Sequence, residues 1–251
     1  MDANRRAAVI VGVLFIVGTL AGVLSAVVTN PILSASDFLA SIAANANQLV
    51  IGALLMLAMG LSLAMVPVVM YPISRRYSQV LAMGYVVFRG GLETVTYLPV
   101  VISWLLLVWL TTAQAQGGFL DAAGYQAMGA ILRELGATGF AVSQIVFPLG
   151  ALMFYYLLYQ ARLIPRWLSG WGLIMAIPYL AAGLLVVVQL LDDTSTTHSL
   201  LVMPLGLQEL VMAVWLIVKG FSPTAIAPAP ATDAAAVGAA PREAASAGLT
   251  R

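Results

Sequence analysis

The chain has 251 residues, of which 62% are hydrophobic and only 8% are charged, and its formal net charge at pH 7 is +1. Soluble globular domains carry about a quarter charged residues, so this composition excludes a soluble globular protein. Cysteine is absent, which excludes disulfides, thiol nucleophiles and thiolate metal sites.

Six apolar runs follow one another along the chain, and each can cross about 30 Å of hydrocarbon as a helix. They cover residues 7–28, 49–71, 80–110, 138–159, 171–191 and 200–218. Strands of a membrane barrel would need about ten residues of alternating polarity, and the sequence has no such alternation. The sequence therefore predicts an all-α fold: a polytopic membrane protein built as a six-transmembrane-helix bundle, with the lipid bilayer as its partner.

Basic residues predict the orientation of this bundle. One set of loops and ends carries Arg5, Arg6, Arg75, Arg76, Arg162, Arg166 and Lys219. The opposite loops carry Asp37, Asp121, Glu134, Asp192 and Asp193, with Arg133 as the one basic residue. Under the positive-inside rule both termini are cytoplasmic, and we expect a multi-pass protein of a bacterial inner membrane.

Two outer loops are predicted to contain short helices that lie on the membrane surface. In the first, Asp37 can cap a helix whose apolar residues, beginning at Phe38, recur at helical spacing. In the second, residues 128–135 repeat this pattern ahead of the fourth span. We expect short extracytoplasmic interfacial helices, which either cap the outer end of the bundle or serve as ordinary connections.

The third apolar run is longer than a single crossing requires. It must therefore tilt, break at Gly90-Gly91 or Pro99, or protrude from the bilayer.

The composition changes after Phe221 to Ala, Pro, Ser and Thr without an apolar period. Such a segment cannot bury enough apolar surface to offset the entropy of ordering, so we expect disorder. The predicted domains are a six-helix transmembrane domain over residues 1–221 and a disordered Ala/Pro-rich cytoplasmic tail over residues 222–251.

The single histidine, His198, lies in the outer turn before the last span, near Asp192 and Asp193. We expect a solvated loop residue there; the alternative is a pH-responsive group at the outer surface. One histidine and no cysteine provide neither a metal centre nor a nucleophile with its base. We therefore predict no catalytic, cofactor or metal site and no nucleic-acid partner.

Arg89 and Glu93 are one helical turn apart inside the third apolar run. A full charge in hydrocarbon costs several kcal/mol, so such residues are usually paired and functional. Arg89 lies about 14 Å from the inner end of its span at 1.5 Å per residue, and Glu209 lies at about the same depth in the last span. We therefore expect Arg89 to meet Glu209 near the middle of the membrane.

Other polar side chains extend this candidate cluster. Spacings of three and four residues place Tyr85, Arg89, Glu93, Thr96 and Tyr97 on one face of the third helix. Gln208 and Gln144, on the last and fourth spans, can join them.

Three interpretations of the cluster remain open. In the structural one, Arg89 bridges Glu93 and Glu209 in a membrane scaffold or interaction protein. In the functional one, two carboxylates against one guanidinium leave a formal charge of minus one, which invites a proton or cation and suits a small transporter or sensor. A membrane enzyme with Glu93 or Glu209 as general base is disfavoured, because nucleophile and metal ligands are missing. The sequence leaves an ion or small-molecule ligand and oligomerisation open.

Several segments resemble the DUF4386 family of bacterial multi-span membrane proteins. They are NPIL ahead of Asp37, NQLVIGALL from Asn47, GYVVFRGGLE over residues 84–93, GALMFYYLLYQARLIPRWLSGWGLI over residues 150–174, and LQELVMAVWLIVKGF ending at Phe221. The resemblance implies a membrane fold and no established activity. The resemblance also implies that many members carry an acidic residue where this chain has Met56, so a site that relies on a carboxylate in the second span is not expected here.

Overall fold

The computed structural model describes residues 2–118 and 120–223, and every regular element within them is helical. The elements are α1 (Ala3–Leu33), α2 (Phe38–Ala44), α3 (Ala46–Ser74), α4 (Gln79–Tyr85), a π-helical segment (Val86–Leu92), α5 (Glu93–Ala115), α6 (Ala122–Ala161), α7 (Arg166–Val187) and α8 (Thr196–Val218). Residues 224–251, which make up nearly all of the predicted tail, lie outside the described residues.

Six helices are long and apolar enough to cross a membrane: α1, α3, the continuous stretch Gln79–Ala115, α6, α7 and α8. We call Gln79–Ala115 the third span. The prediction of an all-α fold with six membrane-spanning helices is confirmed. Large apolar side chains point outward along these helices, as at Val27, Val95 and Ile174, each more than half exposed. Such surfaces are stable against lipid, so the protein sits in a bilayer as a multi-pass membrane protein.

Short polar side chains begin several of the helices. Asp2 accepts a hydrogen bond from Arg5 N at 2.6 Å, Asp121 accepts one from Gly124 N at 2.8 Å, and Ser195 accepts one from His198 N at 3.1 Å. Each bond satisfies a backbone N–H that has no partner within the first helical turn. These caps set the first residue of α1, α6 and α8.

The first predicted surface helix is present as α2, and the second is not a separate element. Asp37 caps α2 through Ala40 N at 3.1 Å, and α2 buries Phe38 and Leu39. The prediction of a separate short helix at residues 128–135 was wrong, because these residues belong to the 40-residue helix α6. No proline interrupts α6 ahead of Pro148, so the helix runs unbroken from the loop into the membrane.

The third span changes its winding where Gly90-Gly91 predicted a possible break. Residues 86–92 form a π-helix, and at its end the backbone N–H of Glu93 bonds to Phe88 O, five residues earlier. Short π-helical turns inside α-helices are rare and frequently occur at functional sites. Arg89 lies in this segment.

Small residues allow the helices to approach closely. α1 packs along α3, where a Cβ on Gly18 would lie 2.7 Å from Leu63. α8 packs between α1 and α7, and a Cβ on Gly12 would lie 2.6 Å from Ala213 O. Such small-residue contacts are a common way for membrane helices to associate. They bring the first and last spans together around the interior of the bundle.

The buried apolar residues form two clusters. One surrounds Phe15, Tyr85 and Tyr155, and the other surrounds Tyr97 and Trp104. Tyr85 and Tyr97 flank Arg89 along the third span, so the charged residue lies where the two apolar clusters meet.

Candidate functional site

Arg89 is the centre of a buried ion network in which only 2% of its own surface is exposed. Its Nη1 donates to both carboxylate oxygens of Glu93, each at 3.1 Å. Its Nη2 donates to Glu209 Oε1, also at 3.1 Å. Arg89 and Glu209, which the depth argument places at one level, are therefore in contact, and Arg89 also contacts Glu93, one turn away in its own span. We call these three residues the ion cluster.

The two carboxylates of the ion cluster have different surroundings. Glu93 is 1% exposed, and Tyr97 Oη donates to its Oε1 at 2.7 Å in addition to the two bonds from Arg89. Glu209 accepts one hydrogen bond, from Arg89, and within the part of the chain that the structure describes its second oxygen accepts none. The Glu209 side chain is also 11% exposed, against 2% for that of Glu93. Both oxygens of Glu93 therefore accept hydrogen bonds, whereas one oxygen of Glu209 accepts none among the described residues.

Aromatic rings cover the guanidinium of Arg89. Its Cζ lies 4.3 Å from the centre of the Phe147 ring on α6 and 5.9 Å from that of Phe15 on α1. A ring face attracts a cation, and these contacts exclude water from it. Sequence reasoning missed both phenylalanines, because a phenylalanine in a membrane span carries no signal that separates a cation contact from lipid packing.

A glycine lets α6 approach the ion cluster closely. A Cβ on Gly150 would lie 3.2 Å from Arg89 N and 3.2 Å from Phe88 Cβ. Gly150 is one turn beyond Phe147 on α6, so this close approach holds the Phe147 ring against Arg89. The sequence alone offers no way to single out this glycine among the chain's 22.

The two predicted tyrosines lie on either side of the ion cluster. Tyr97 donates to Glu93, as described above. Tyr85 is buried, and its ring stacks on Phe154 of α6 with centroids 4.4 Å apart. Thr96, which completes the predicted polar face, instead donates to the backbone oxygen of Glu93 at 2.6 Å. Tyr97 therefore contacts a carboxylate, whereas the described contact of Tyr85 is aromatic.

The two predicted glutamines are buried but have other partners. Gln208 Nε2 donates to Leu168 O on α7 at 3.0 Å. Gln144 Oε1 lies 2.6 Å from His198 Nε2. Neither makes a hydrogen bond to the ion cluster in the described residues. Each nevertheless leaves one buried polar atom without a partner, Gln208 Oε1 and Gln144 Nε2.

The expectation that His198 is a solvated loop residue was wrong. α8 begins at Thr196, so His198 lies in its first turn and faces α6, where it is 7% exposed and pairs with Gln144. The preceding loop instead exposes Asp192, whose Oδ1 accepts from the hydroxyl and the N–H of Thr194. These two hydrogen bonds hold the pKa of Asp192 below its ordinary value.

A separate cleft of about 490 Å³ lies where the first and last spans end together. Arg5 borders it and donates to three carbonyl oxygens at the end of α8, those of Leu216, Ile217 and Val218. A cation at this position donates hydrogen bonds to carbonyls that have no partner within the helix, and its charge interacts favourably with the negative end of the helix dipole. Arg5 is therefore a cap for α8, distant in the fold from the ion cluster.

Comparison with known proteins agrees with the resemblance found in the sequence. A family model described as "Domain of unknown function (DUF4386)" matches residues 10–220, which confirms that prediction. No curated protein and no solved structure matches the chain.

Proposed function

Because the chain belongs to the DUF4386 family, whose description names no activity, we propose a function from the geometry of the ion cluster. The protein is an integral membrane protein. In our proposal it is a small proton-coupled carrier or sensor, in which the ion cluster takes up and releases one proton. The observation that carries this proposal is the second carboxylate oxygen of Glu209, which accepts no hydrogen bond among the described residues, on a side chain that is 11% exposed and is bound to a guanidinium shared with Glu93.

Charge balance supports a titratable site. With Arg89 charged and both glutamates ionised, the ion cluster carries a formal charge of minus one, surrounded by apolar side chains. An uncompensated charge in such surroundings is costly, and uptake of a single proton removes it. The proton has one favourable acceptor, because Arg89 or Tyr97 already occupies both oxygens of Glu93.

The geometry favours a proton over a metal cation. Hard cations such as sodium and calcium need several oxygen ligands, and here Arg89 donates to three of the four carboxylate oxygens. The guanidinium would also repel a second cation at short range. A proton needs only the one free oxygen of Glu209.

Protonation offers a route to conformational change. The ion pair between Arg89 and Glu209 links the third span to α8 at 3.1 Å, and a neutral carboxyl binds a guanidinium less strongly than a carboxylate does. The π-helical segment around Arg89 can change its winding by one residue, which would move the guanidinium relative to α8. A proton on Glu209 therefore favours a state in which these spans separate.

A second candidate, a structural network in a membrane scaffold, is favoured by the burial of Arg89 beneath Phe147 and Phe15. In that case Glu209 would remain ionised throughout, and its ion pair would only hold helices together. The two candidates therefore differ in whether Glu209 exchanges a proton in the folded protein.

Infrared spectroscopy of the purified protein in lipid separates the two candidates. The proposal expects a carbonyl stretch of a protonated carboxyl to appear as the pH falls, and to disappear in Glu209→Gln but persist in Glu93→Gln. Glu134→Gln, which changes an exposed carboxylate on α6, is the control and should leave the band unchanged. A folded protein with no such band, or with a band indifferent to Glu209→Gln, would refute the proton site and leave the scaffold.

A further inference from the structure

Three oxygen atoms without a hydrogen-bond partner occur on α6 and α8 beside the ion cluster. Tyr155 Oη and Gln208 Oε1 are buried and unpartnered within the described residues, and Glu209 has its free oxygen. A buried polar atom without a partner costs free energy, so each such atom in a folded protein calls for an explanation.

Tyr155 of α6 and Gln208 of α8 contact the same turn of α7. The Tyr155 ring packs into the space left by Gly172, where a Cβ would be 2.6 to 2.7 Å from three ring carbons. Gln208 Nε2 donates to Leu168 O, and Leu168 is four residues before Gly172 in the helix. Since the carbonyl of residue 168 points along the helix toward residue 172, the phenol and the amide meet α7 at one place.

Glu209 lies beside these two residues. It follows Gln208 directly on α8, and its Oε1 accepts from Arg89 Nη2 at 3.1 Å, which leaves its second oxygen without a donor among the described residues. Tyr155 and Gln208 therefore reach one turn of α7 from the two helices that flank it, and Glu209 is the next residue after Gln208.

The Tyr155 hydroxyl cannot leave this position. The ring is 0% exposed and is held between Gly172 and Phe154, whose centroid lies 5.6 Å from its own. The hydroxyl must therefore form a hydrogen bond at this position, or its burial without a partner costs free energy.

We propose that Tyr155 Oη, Gln208 Oε1 and the free oxygen of Glu209 bind one water molecule, which carries the proton to and from Glu209. Water matches this set: it accepts from the Tyr155 O–H and donates to the two other oxygens, which gives it the two to four polar partners that a buried water needs. The proposal rests on the proton site at Glu209 and extends it.

The transfer step is balanced. When the bound water holds an extra proton, one of its O–H bonds breaks and a new O–H bond forms at the free oxygen of Glu209, which leaves neutral water and a neutral carboxyl. Release is the reverse. Tyr155 is a positioning residue, because it holds the water and does not itself give up a proton.

The site lies toward one end of the bundle. Tyr155 is six residues before the last residue of α6, Ala161, so the water site faces the end that is cytoplasmic in the predicted topology. The other charged or titratable groups near Glu209 and Tyr155 are Arg89, Glu93 and Tyr85 on the third span and Tyr179 on α7.

Tyr155→Phe tests the proposal, with Tyr156→Phe as the matched control because Tyr156 is its exposed neighbour and accepts a hydrogen bond from Gln160. The readout is the rate at which the Glu209 carboxyl band appears after a rapid fall in pH, together with the melting temperature. We expect Tyr155→Phe to slow proton uptake about tenfold or more and not to raise the melting temperature. The control should match the unmodified protein in both.

Three results with Tyr155→Phe would overturn the water site. An unchanged rate in Tyr155→Phe would remove the relay, and a melting temperature higher by about 2 to 4 °C would show that the hydroxyl is simply buried without a partner. A variant that fails to fold would show that the hydroxyl is a structural anchor, which also contradicts the proposal. In each case a band that still depends on Glu209 keeps the proton site, whereas a missing band in the unmodified protein refutes the proton site and the relay with it.

Discussion

Arg89 Nη2 and Glu209 Oε1 lie 3.1 Å apart, although 120 positions separate the two residues in the chain. α8 packs mainly against α1 and α7, so this ion pair is a link between the last span and the third. The same guanidinium binds Glu93 within its own span. The Arg89 side chain therefore makes one ion pair within its own helix and a second with a helix that is distant in the sequence.

Loss of this link is the first prediction. Arg89→Met would leave two buried carboxylates without their cation, and we expect the free energy of unfolding to fall by about 3 to 5 kcal/mol. Glu209→Gln keeps the bonds between Arg89 and Glu93, so a smaller loss of about 1 to 2 kcal/mol is expected. Chemical unfolding in mild detergent measures both. Arg76→Met, at an exposed arginine, is the control, and equal losses in all three variants would contradict the central role of Arg89.

The orientation of the bundle is the second prediction. The one-sided placement of Arg75, Arg76 and the other basic residues predicts cytoplasmic termini. A reporter enzyme fused after Arg76 should be cytoplasmic, and one fused after Asp193 should lie on the outer side. A third fusion after Gln116 should agree with the one after Asp193. If the reporters after Arg76 and after Asp193 were found on the same side of the membrane, the predicted topology would be wrong.

Packing of α6 against the ion cluster gives the third prediction. Gly150→Ala would place a methyl group 3.2 Å from Arg89 N and Phe88 Cβ, so we expect a loss of about 1 to 3 kcal/mol from overpacking. Gly91→Ala is the matched control, because Gly91 is exposed and a Cβ there has nothing within 4 Å. It should be neutral or stabilise by up to about 1 kcal/mol. Reversed signs for the two variants would mean that α6 does not approach Arg89 as described.

The spans and the ion cluster were predictable from sequence for physical reasons. A membrane helix satisfies its backbone internally and needs a fixed apolar length, so six spans follow from hydropathy alone. Arg89 and Glu209 stand out because buried charges must be paired, and rise per residue sets their common depth. Composition therefore predicts the six spans, and residue spacing predicts the common depth of the buried charges.

The remainder of the site depends on which helices are neighbours in the bundle. The spacing of residues within one helix gives no information about its neighbours. Gln144 and Gln208 looked equivalent in the sequence, yet they bond to His198 and Leu168 on different helices. Phe147 covers Arg89 only because Gly150 lets α6 come close. Gly90-Gly91 predicted a possible break in the third span, but the sequence did not indicate that the change would be a π-helical turn around Arg89.

The tail gives the fourth prediction. The sequence predicts that the tail begins at residue 222. In the structure Ser222 N donates to Leu163 O at 2.9 Å, and the preceding residue, Phe221, is buried. Deletion of residues 224–251 should leave the melting temperature of the purified protein unchanged, because an Ala/Pro-rich segment makes few lasting contacts. Deletion of residues 221–251 is the matched control and should cost about 3 kcal/mol or more, since it removes the Phe221 side chain from the core. Equal effects of the two deletions would contradict this boundary.

The pairing of His198 with Gln144 gives the last prediction. The two side chains meet at 2.6 Å between α8 and α6, and both are buried. His198→Ala would leave the Gln144 amide without its partner, so we expect a loss of about 1 to 3 kcal/mol. Gln144→Leu alone should cost a similar amount, because it strands the imidazole.

A double-mutant cycle isolates this contact. If the hydrogen bond accounts for the losses, the combined variant should be less destabilised than the two single losses predict, with a coupling energy of about 0.5 to 3 kcal/mol. Thr197→Ala, at the exposed neighbour of His198, should have little effect. Strictly additive losses would show that His198 and Gln144 act independently. Because His198 is on α8 and Gln144 is on α6, a measured coupling would be evidence that these two helices are in contact at this point.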